Sequence, residues 1–206
     1  MNTEHNIKKG ELIVLSGPSG VGKSTVIADL LDKRPDIHFS VSYTTRAPRR
    51  GEVDGVNYNF VSHEEFERMI ADGELLEFAQ YVGNYYGTSL KVIQDKLEKG
   101  VNVLLDIEVQ GAAAVREKCP DAVLIFIAPP SLDELSNRLH GRQTDSEAVI
   151  QDRLEQAKRE CAKIRNYDYV VVNNDVETAS EEIRSILAAE RCRINKQEKL
   201  VATLAD

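Results

Sequence analysis

The chain has 206 residues, 42% of them hydrophobic, which suits a single domain with a real core. Its 34 acidic and 26 basic residues leave a net charge of −8, which argues against general nucleic-acid binding because that needs a basic surface. The longest apolar runs are too short to span a bilayer, and the N-terminal MNTEHNIKKGE contains no apolar signal stretch. The three cysteines, Cys119, Cys161 and Cys192, are far apart and odd in number, so they read as reduced thiols of a cytoplasmic protein and not as a disulfide framework or zinc site; the four histidines are equally scattered.

The first predicted element is a buried strand, Leu12–Ser16, followed by GPSGVGKST and a helix over Ser24–Lys33. Gly17, Gly22, Lys23 and Ser24 occupy the fixed places of G-x-x-x-x-G-K-S/T. Glycines are costly in a strand or a helix, so their density here marks a loop whose backbone N–H groups wrap an anion at the positive end of the following helix. The nine residues Gly17, Pro18, Ser19, Gly20, Val21, Gly22, Lys23, Ser24 and Thr25 form this candidate phosphate site. Lys23 adds a point charge, and the Ser24 hydroxyl is a candidate ligand for magnesium.

Further strands are expected at Phe39–Tyr43, Val101–Asp106, Val123–Ala128 and Tyr169–Val172. Helices are expected at Leu90–Lys99, Val109–Lys118, Leu132–Leu139, Glu147–Arg165 and Val176–Lys196. This alternation predicts an α/β fold, a phosphate-loop core with a parallel sheet flanked by helices. Residues 44–88 interrupt it. They are rich in Tyr, Val and Gly and hold one short helix, Ser62–Asp72, opened by a capping box of Ser62 and Glu65. The segment reads as a small β-rich insertion. A second irregular piece, HGRQTDSE at His140–Glu147, reads as a lid.

Phosphoryl transfer depends on charge neutralisation and in-line positioning. The acid expected near magnesium is Asp106, at the end of the apolar run VNVLLD, with Glu108 two residues on. A strand continuing through both would place them on one face. The alternative for Asp106 is a cap on the next helix. Arg138 and Arg142 are spaced i, i+4, and Arg153 follows in the next helix; these guanidiniums either reach phosphates or form surface salt bridges. TTRAPRR, taken alone, reads as a solvated loop, yet Arg46 and Arg49 are spaced to grip one phosphate, with Tyr58 and Tyr86 as phenolic donors or packing residues. Glu77, in the apolar LLEFAQ, needs a partner.

SGPSGVGKST, FSVSYTTRAPRRGEVDGVNYNFVS, LLEFAQYVGNYYGTS, VLLDIEVQGA, IFIAPPS and RLHGRQTDSE, in this order over Glu11–Ala188, resemble the guanylate kinase family. The resemblance implies ATP-dependent phosphorylation of GMP, with dGMP as a further acceptor. It implies a GMP site of Ser42, Arg46, Arg49, Glu52, Tyr58, Glu77, Tyr86, Thr88, Asp106 and Glu108. Arg46, Arg49, Tyr58 and Tyr86 would hold the phosphate, and Glu77 would face the base. ATP would lie on Gly17–Thr25 and be embraced by Arg138, Arg142 and Arg153. Catalysis would rest on Lys23, Arg46, Asp106, Arg142 and Arg153. Mg2+ would bind Ser24, with Asp106 acting through water. The implied division is a domain over residues 10–190, made of a core (10–42, 89–137 and 154–190), a GMP-binding insertion (43–88) and a lid (138–153). A helical tail, 191–206, is a candidate for self-association. One departure stands out: bacterial family members often carry R-G-R-G in the lid, and this chain has His140-Gly141-Arg142-Gln143.

Three other classes bear on the sequence, and one of them, another small phosphate-loop kinase with an adenine, pyrimidine or sugar acceptor, is opposed by the SVSYTTRAPRRGEVDGVNYNF segment and by Glu77. Scaffold proteins similar to guanylate kinase usually have a degraded phosphate loop, and here it is intact. A GTPase would carry N-K-x-D where this chain has VVVNND.

Overall fold

The computed structural model describes residues 9–81, 83–141 and 146–205. In chain order these form β1 (Leu12–Ser16), α1 (Lys23–Lys33), β2 (Ile37–Phe39), β3 (Tyr43–Thr44), β4 (Asn59–Phe60), α2 (His63–Ala71), β5 (Leu75–Tyr81) and β6 (Asn84–Ser89). There follow α3 (Leu90–Glu98), β7 (Asn102–Asp106), α4 (Val109–Lys118), β8 (Val123–Ala128), α5 (Leu132–Gly141), α6 (Glu147–Cys161), β9 (Tyr169–Val172), α7 (Val176–Arg191) and α8 (Glu198–Ala205).

β1, β2, β7, β8 and β9 make a five-stranded sheet in the order β2-β7-β1-β8-β9, and each neighbouring pair is parallel. A parallel sheet is covered on both faces, so its strands are apolar throughout. β1 and β8 are buried at every residue. Ile13 and Leu15 enter the core shared with α1 and α7, while Leu12 and Val14 enter the core shared with α3 and α4. The chain leaves β1 toward β2 on one side, and β8 lies on the other. The C-terminal end of β1 is therefore a switch point, where α/β sheets open a crevice for ligands.

A second sheet, ordered β4-β3-β6-β5, carries the expected insertion. β6 is antiparallel to both β3 and β5, and α2 covers one face through Phe66 and Met69. Ser62 caps α2 as read, accepting the Glu65 N–H at Oγ at 3.1 Å, while the Glu65 carboxylate pairs with Arg68 and not with the Ser62 N–H.

Three predicted elements differ by more than two residues at a boundary. The Phe39–Tyr43 strand is split between the sheets. The Ser40 N–H makes a last rung to Leu104 O, after which Val41 and Ser42 offer their carbonyls to Asn59 of the second sheet. The Glu147–Arg165 helix ends at Cys161 and tightens into a 3-10 turn, Ile164–Asn166. That turn seats Tyr167 edge-on against Phe126 and lets the Asp168 N–H reach Leu124 O. The Val176–Lys196 helix ends at Arg191, where a 3-10 turn swings Lys196 onto the buried Glu11 at 3.1 Å.

Leu104 lies in β7 with no exposed surface. Leu104→Ala should destabilise the chain by about 2–5 kcal/mol, seen as a lower urea midpoint with an unchanged slope.

Candidate active site

The loop after β1 is shaped by close approach and by handedness. Gly17 has no room for a side chain, because a Cβ there would lie 2.3 Å from Ile127 O. Gly22, the N-cap of α1, has φ 91°, a region that favours glycine. No side chain caps α1, and while the Thr25 N–H turns back onto Gly22 O at 3.1 Å, the Lys23 and Ser24 N–H groups face the loop as donors for an anion. Asn173, buried at the end of β9, donates from Nδ2 to Val21 O at 2.7 Å, and Arg138 Nη1 reaches the same carbonyl at 3.2 Å. The loop is thus held from two sides. Ser24 and Thr25 are exposed at the start of α1.

Lys23 pairs with Asp106 at 2.8 Å. Burial works to lower the lysine pKa, but the Asp106 charge and hydrogen bond outweigh it and the net shift is upward. The expected continuous strand through Glu108 is not formed. β7 stops at Asp106, and Glu108 takes the N-cap position of α4 with no side-chain cap bond. The two acids nevertheless line one cleft, because the turn at Ile107 returns Glu108 to the same side. The helix cap considered for Asp106 is thereby excluded.

That cleft, of about 240 Å³, is lined by Lys23, Ser42, Tyr58, Glu77, Ala79, Tyr86, Gly87, Asp106, Ile107 and Glu108. Glu77 is 4% exposed. Burial raises its pKa, opposed by the Thr88 hydroxyl, which donates to Oε1 at 2.5 Å, and by the Lys118 charge. Lys118 Nζ also donates to Leu76 O at 2.6 Å, tying down a strand irregularity between Leu75 and Glu77. A second set gathers at the rim. Arg46 makes paired bonds to both Glu52 oxygens, at 3.0 and 2.9 Å, and lies over the Tyr58 ring at 5.4 Å. Tyr86 meets Tyr58 edge-on at 6.0 Å. Glu52 also accepts the Arg49 backbone N–H at 2.7 Å, and the Arg49 side chain is exposed. Glu52 thus orients Arg46, a role its sequence position alone does not disclose.

Arg138 is held by Glu134 at 2.9 Å beside the loop. Arg153 is half-buried on the stripe of α6 that includes Ile150, Ala157 and Glu160. Arg142 lies outside the described residues, as does Gln143. Three contributors escaped the sequence reading: Asn173, Lys118 and Glu160. Glu160 is 8% exposed and bonded by Gln156 at 2.8 Å; burial raises its pKa, with Glu108 and Lys23 close enough to influence it. Its signal was an acid on the inward stripe of a helix.

A glycine-rich loop at the switch point of a parallel sheet, facing a cleft with a buried carboxylate, defines a phosphate-loop α/β nucleotide-binding protein. The family model described as guanylate kinase matches residues 9–190. The guanylate kinase of Halalkalibacterium halodurans is 53% identical over 94% of this chain and 94% of that protein. That of Clostridioides difficile is 50% identical over 95% of each. The crystal structure of guanylate kinase from Anaplasma phagocytophilum superposes with a TM-score of 0.75 at 41% identity, covering 90% of this chain and 88% of that one. The chain belongs to the guanylate kinase family.

Thr88→Val removes the donor to Glu77 and keeps the shape. Without it the carboxyl pKa rises further, so the cost, about 1.5–3 kcal/mol, is present while Glu77 is ionised. It fades as pH falls and the carboxyl takes up its proton. Urea unfolding of both proteins at mildly alkaline and acidic pH checks this.

Proposed function

We propose that the chain transfers the γ-phosphoryl group of ATP to GMP, giving ADP and GDP, and accepts dGMP as well. One observation carries the reading: the Lys23–Asp106 pair beside the phosphate loop and the buried Glu77 share a single cleft. Membership of the family supports it.

In this reading the ATP phosphates lie on Gly17–Thr25, held by backbone N–H groups and Lys23. Asp106 holds Lys23 in place until phosphate competes for it. GMP lies against the second sheet, with Arg46, Arg49, Tyr58 and Tyr86 around its phosphate. Glu52 orients Arg46 so that less freedom is lost on binding. Glu77 accepts hydrogen bonds from guanine N1–H and the 2-amino group, while Ser42 and Thr88 serve the remaining polar atoms. Adenine presents a lone pair at N1 and no 2-amino group, so a site built this way discriminates by about 10⁴-fold. Glu108 and Asp106 lie between the two substrates.

The Ser24 hydroxyl and Asp106 carboxylate are hard oxygen donors of the kind that suits magnesium. Mg2+ would be held by Ser24, with Asp106 acting through water, and would supply neutralisation of charge on the ATP phosphates. Closure of the lid, residues 138–153, brings Arg138, Arg142 and Arg153 around those phosphates, against the core and the GMP-binding insertion, 43–88. A GMP phosphate oxygen then forms a bond to the γ-phosphorus as its bond to the β,γ-bridging oxygen breaks. No covalent enzyme intermediate forms.

The wider setting belongs to the same proposal. It is a cytoplasmic enzyme of purine nucleotide recycling that does not bind nucleic acid. None of the described helices is long and apolar enough to cross a membrane. Ile194, Leu200 and Leu204 are 76%, 55% and 77% exposed, which supports self-association through the tail.

Diphosphate formation from MgATP with GMP, dGMP, AMP, UMP and CMP tests the reading. Turnover confined to GMP and dGMP is the expected result, and turnover with another base would discard Glu77 as the reader. Glu77→Gln should erode the GMP-to-AMP preference by at least about tenfold without loss of stability at neutral pH, because it removes a buried charge. Arg46→Ala should raise the KM for GMP by about tenfold or more and spare that for ATP. Equal losses for both nucleotides would refute the placement of Arg46.

A further inference from the structure

Helix α4 carries a glycine where helix propensity argues against one. Gly111 lies in its first turn, buried, and is followed by three alanines. A glycine inside a helix is less favourable than alanine. Its φ is not positive, so no unusual backbone angle calls for it.

The reason is space. A Cβ on Gly111 would lie 2.5 Å from Glu77 Oε2 and 3.2 Å from Glu77 Cδ. Thr88 holds the other oxygen, Oε1, at 2.5 Å. The Glu77 carboxyl therefore occupies a slot with the Thr88 hydroxyl at one oxygen and bare helix backbone at the other. α4 packs directly on β5, the strand that carries Glu77, so neither element can back away without disturbing the core between them.

We infer that Gly111 is a positioning residue for base recognition. Its missing side chain lets the Glu77 carboxyl sit against α4, in the orientation that offers both oxygens to paired donors on a purine. This rests on the reading of Glu77 as the contact to guanine. An alanine at position 111 meets the end of a flexible side chain, so the fold tolerates it and Glu77 is what gives way. The carboxyl turns or tilts, and two hydrogen bonds that need one plane can no longer both be straight.

The test is steady-state kinetics of Gly111→Ala with GMP, AMP and ATP, alongside urea unfolding. The expected result is a KM for GMP raised by about tenfold or more, the loss of one hydrogen bond to a charged group. The KM for ATP stays unchanged, and the urea midpoint is equal or higher, since alanine favours the helix. Glu77→Asp supplies the second arm. Its side chain is one methylene shorter and withdraws from the slot, so adding Gly111→Ala in that background should change the GMP KM by less than about threefold. A Gly111→Ala protein with wild-type GMP KM overturns the inference. So does a loss shared equally by ATP and GMP, or a cost undiminished in the Glu77→Asp background. Glu77→Gln separates the two levels. If it leaves the GMP-to-AMP ratio unchanged, the base-reading role fails and the inference falls with it. If it erodes the ratio while Gly111→Ala does nothing, only the role of Gly111 fails.

Discussion

The site depends on the register between β1 and β7. Leu15 lies beside Asp106 in this parallel pair, so the two strands end level with each other. The phosphate loop starts one residue past Ser16, and the acid that meets Lys23 closes the neighbouring strand. A shift of one residue would turn Asp106 to the opposite face, because strand side chains alternate. The register is secured by burial: Val103, Leu104 and Leu105 alternate between two cores, and no exposed face exists onto which they could slip.

The remaining parts of the site are attached to this frame by few but buried polar contacts. Val21 O accepts from Asn173, just past β9, and from α5 through Arg138, so the loop conformation is linked both to the far side of the sheet and to α5. Glu77 reaches the cleft from the second sheet, fixed by Thr88 and backed by α4. A carboxylate kept dry in this way has a raised pKa and a strong demand for donors. Arg46 is paired with both carboxylate oxygens of Glu52, which holds its guanidinium in one orientation at the rim of the cleft.

The core strands, most helices and the β-rich character of the insertion were legible because their signals are local. Period, caps and glycine spacing lie within a few residues of one another. Lys23, Asp106, Glu77, Tyr58 and Tyr86 do meet at one cleft. Less legible was Glu52, whose carboxylate is spent on Arg46. So was Glu108, which reaches the cleft from a helix cap and not from a strand. Boundaries failed where tertiary contacts set them. β2 ends where Asn59 draws Val41 and Ser42 into the other sheet, and α6 ends where Tyr167 must reach Phe126.

The sequence by itself determined the shape of the loop after β1, since its glycines stand at fixed spacing where close approach and a positive φ require them. It also determined the α/β class, through the alternation of apolar runs and amphipathic helices. The tertiary structure decided which distant residues hold those parts in place. Asn173 and Val21 are 152 positions apart, and Gly111 matters only because β5 carries Glu77 past it. Such pairings depend on how sheets and helices stack, and a stretch of sequence has no term for a neighbour that arrives from another element.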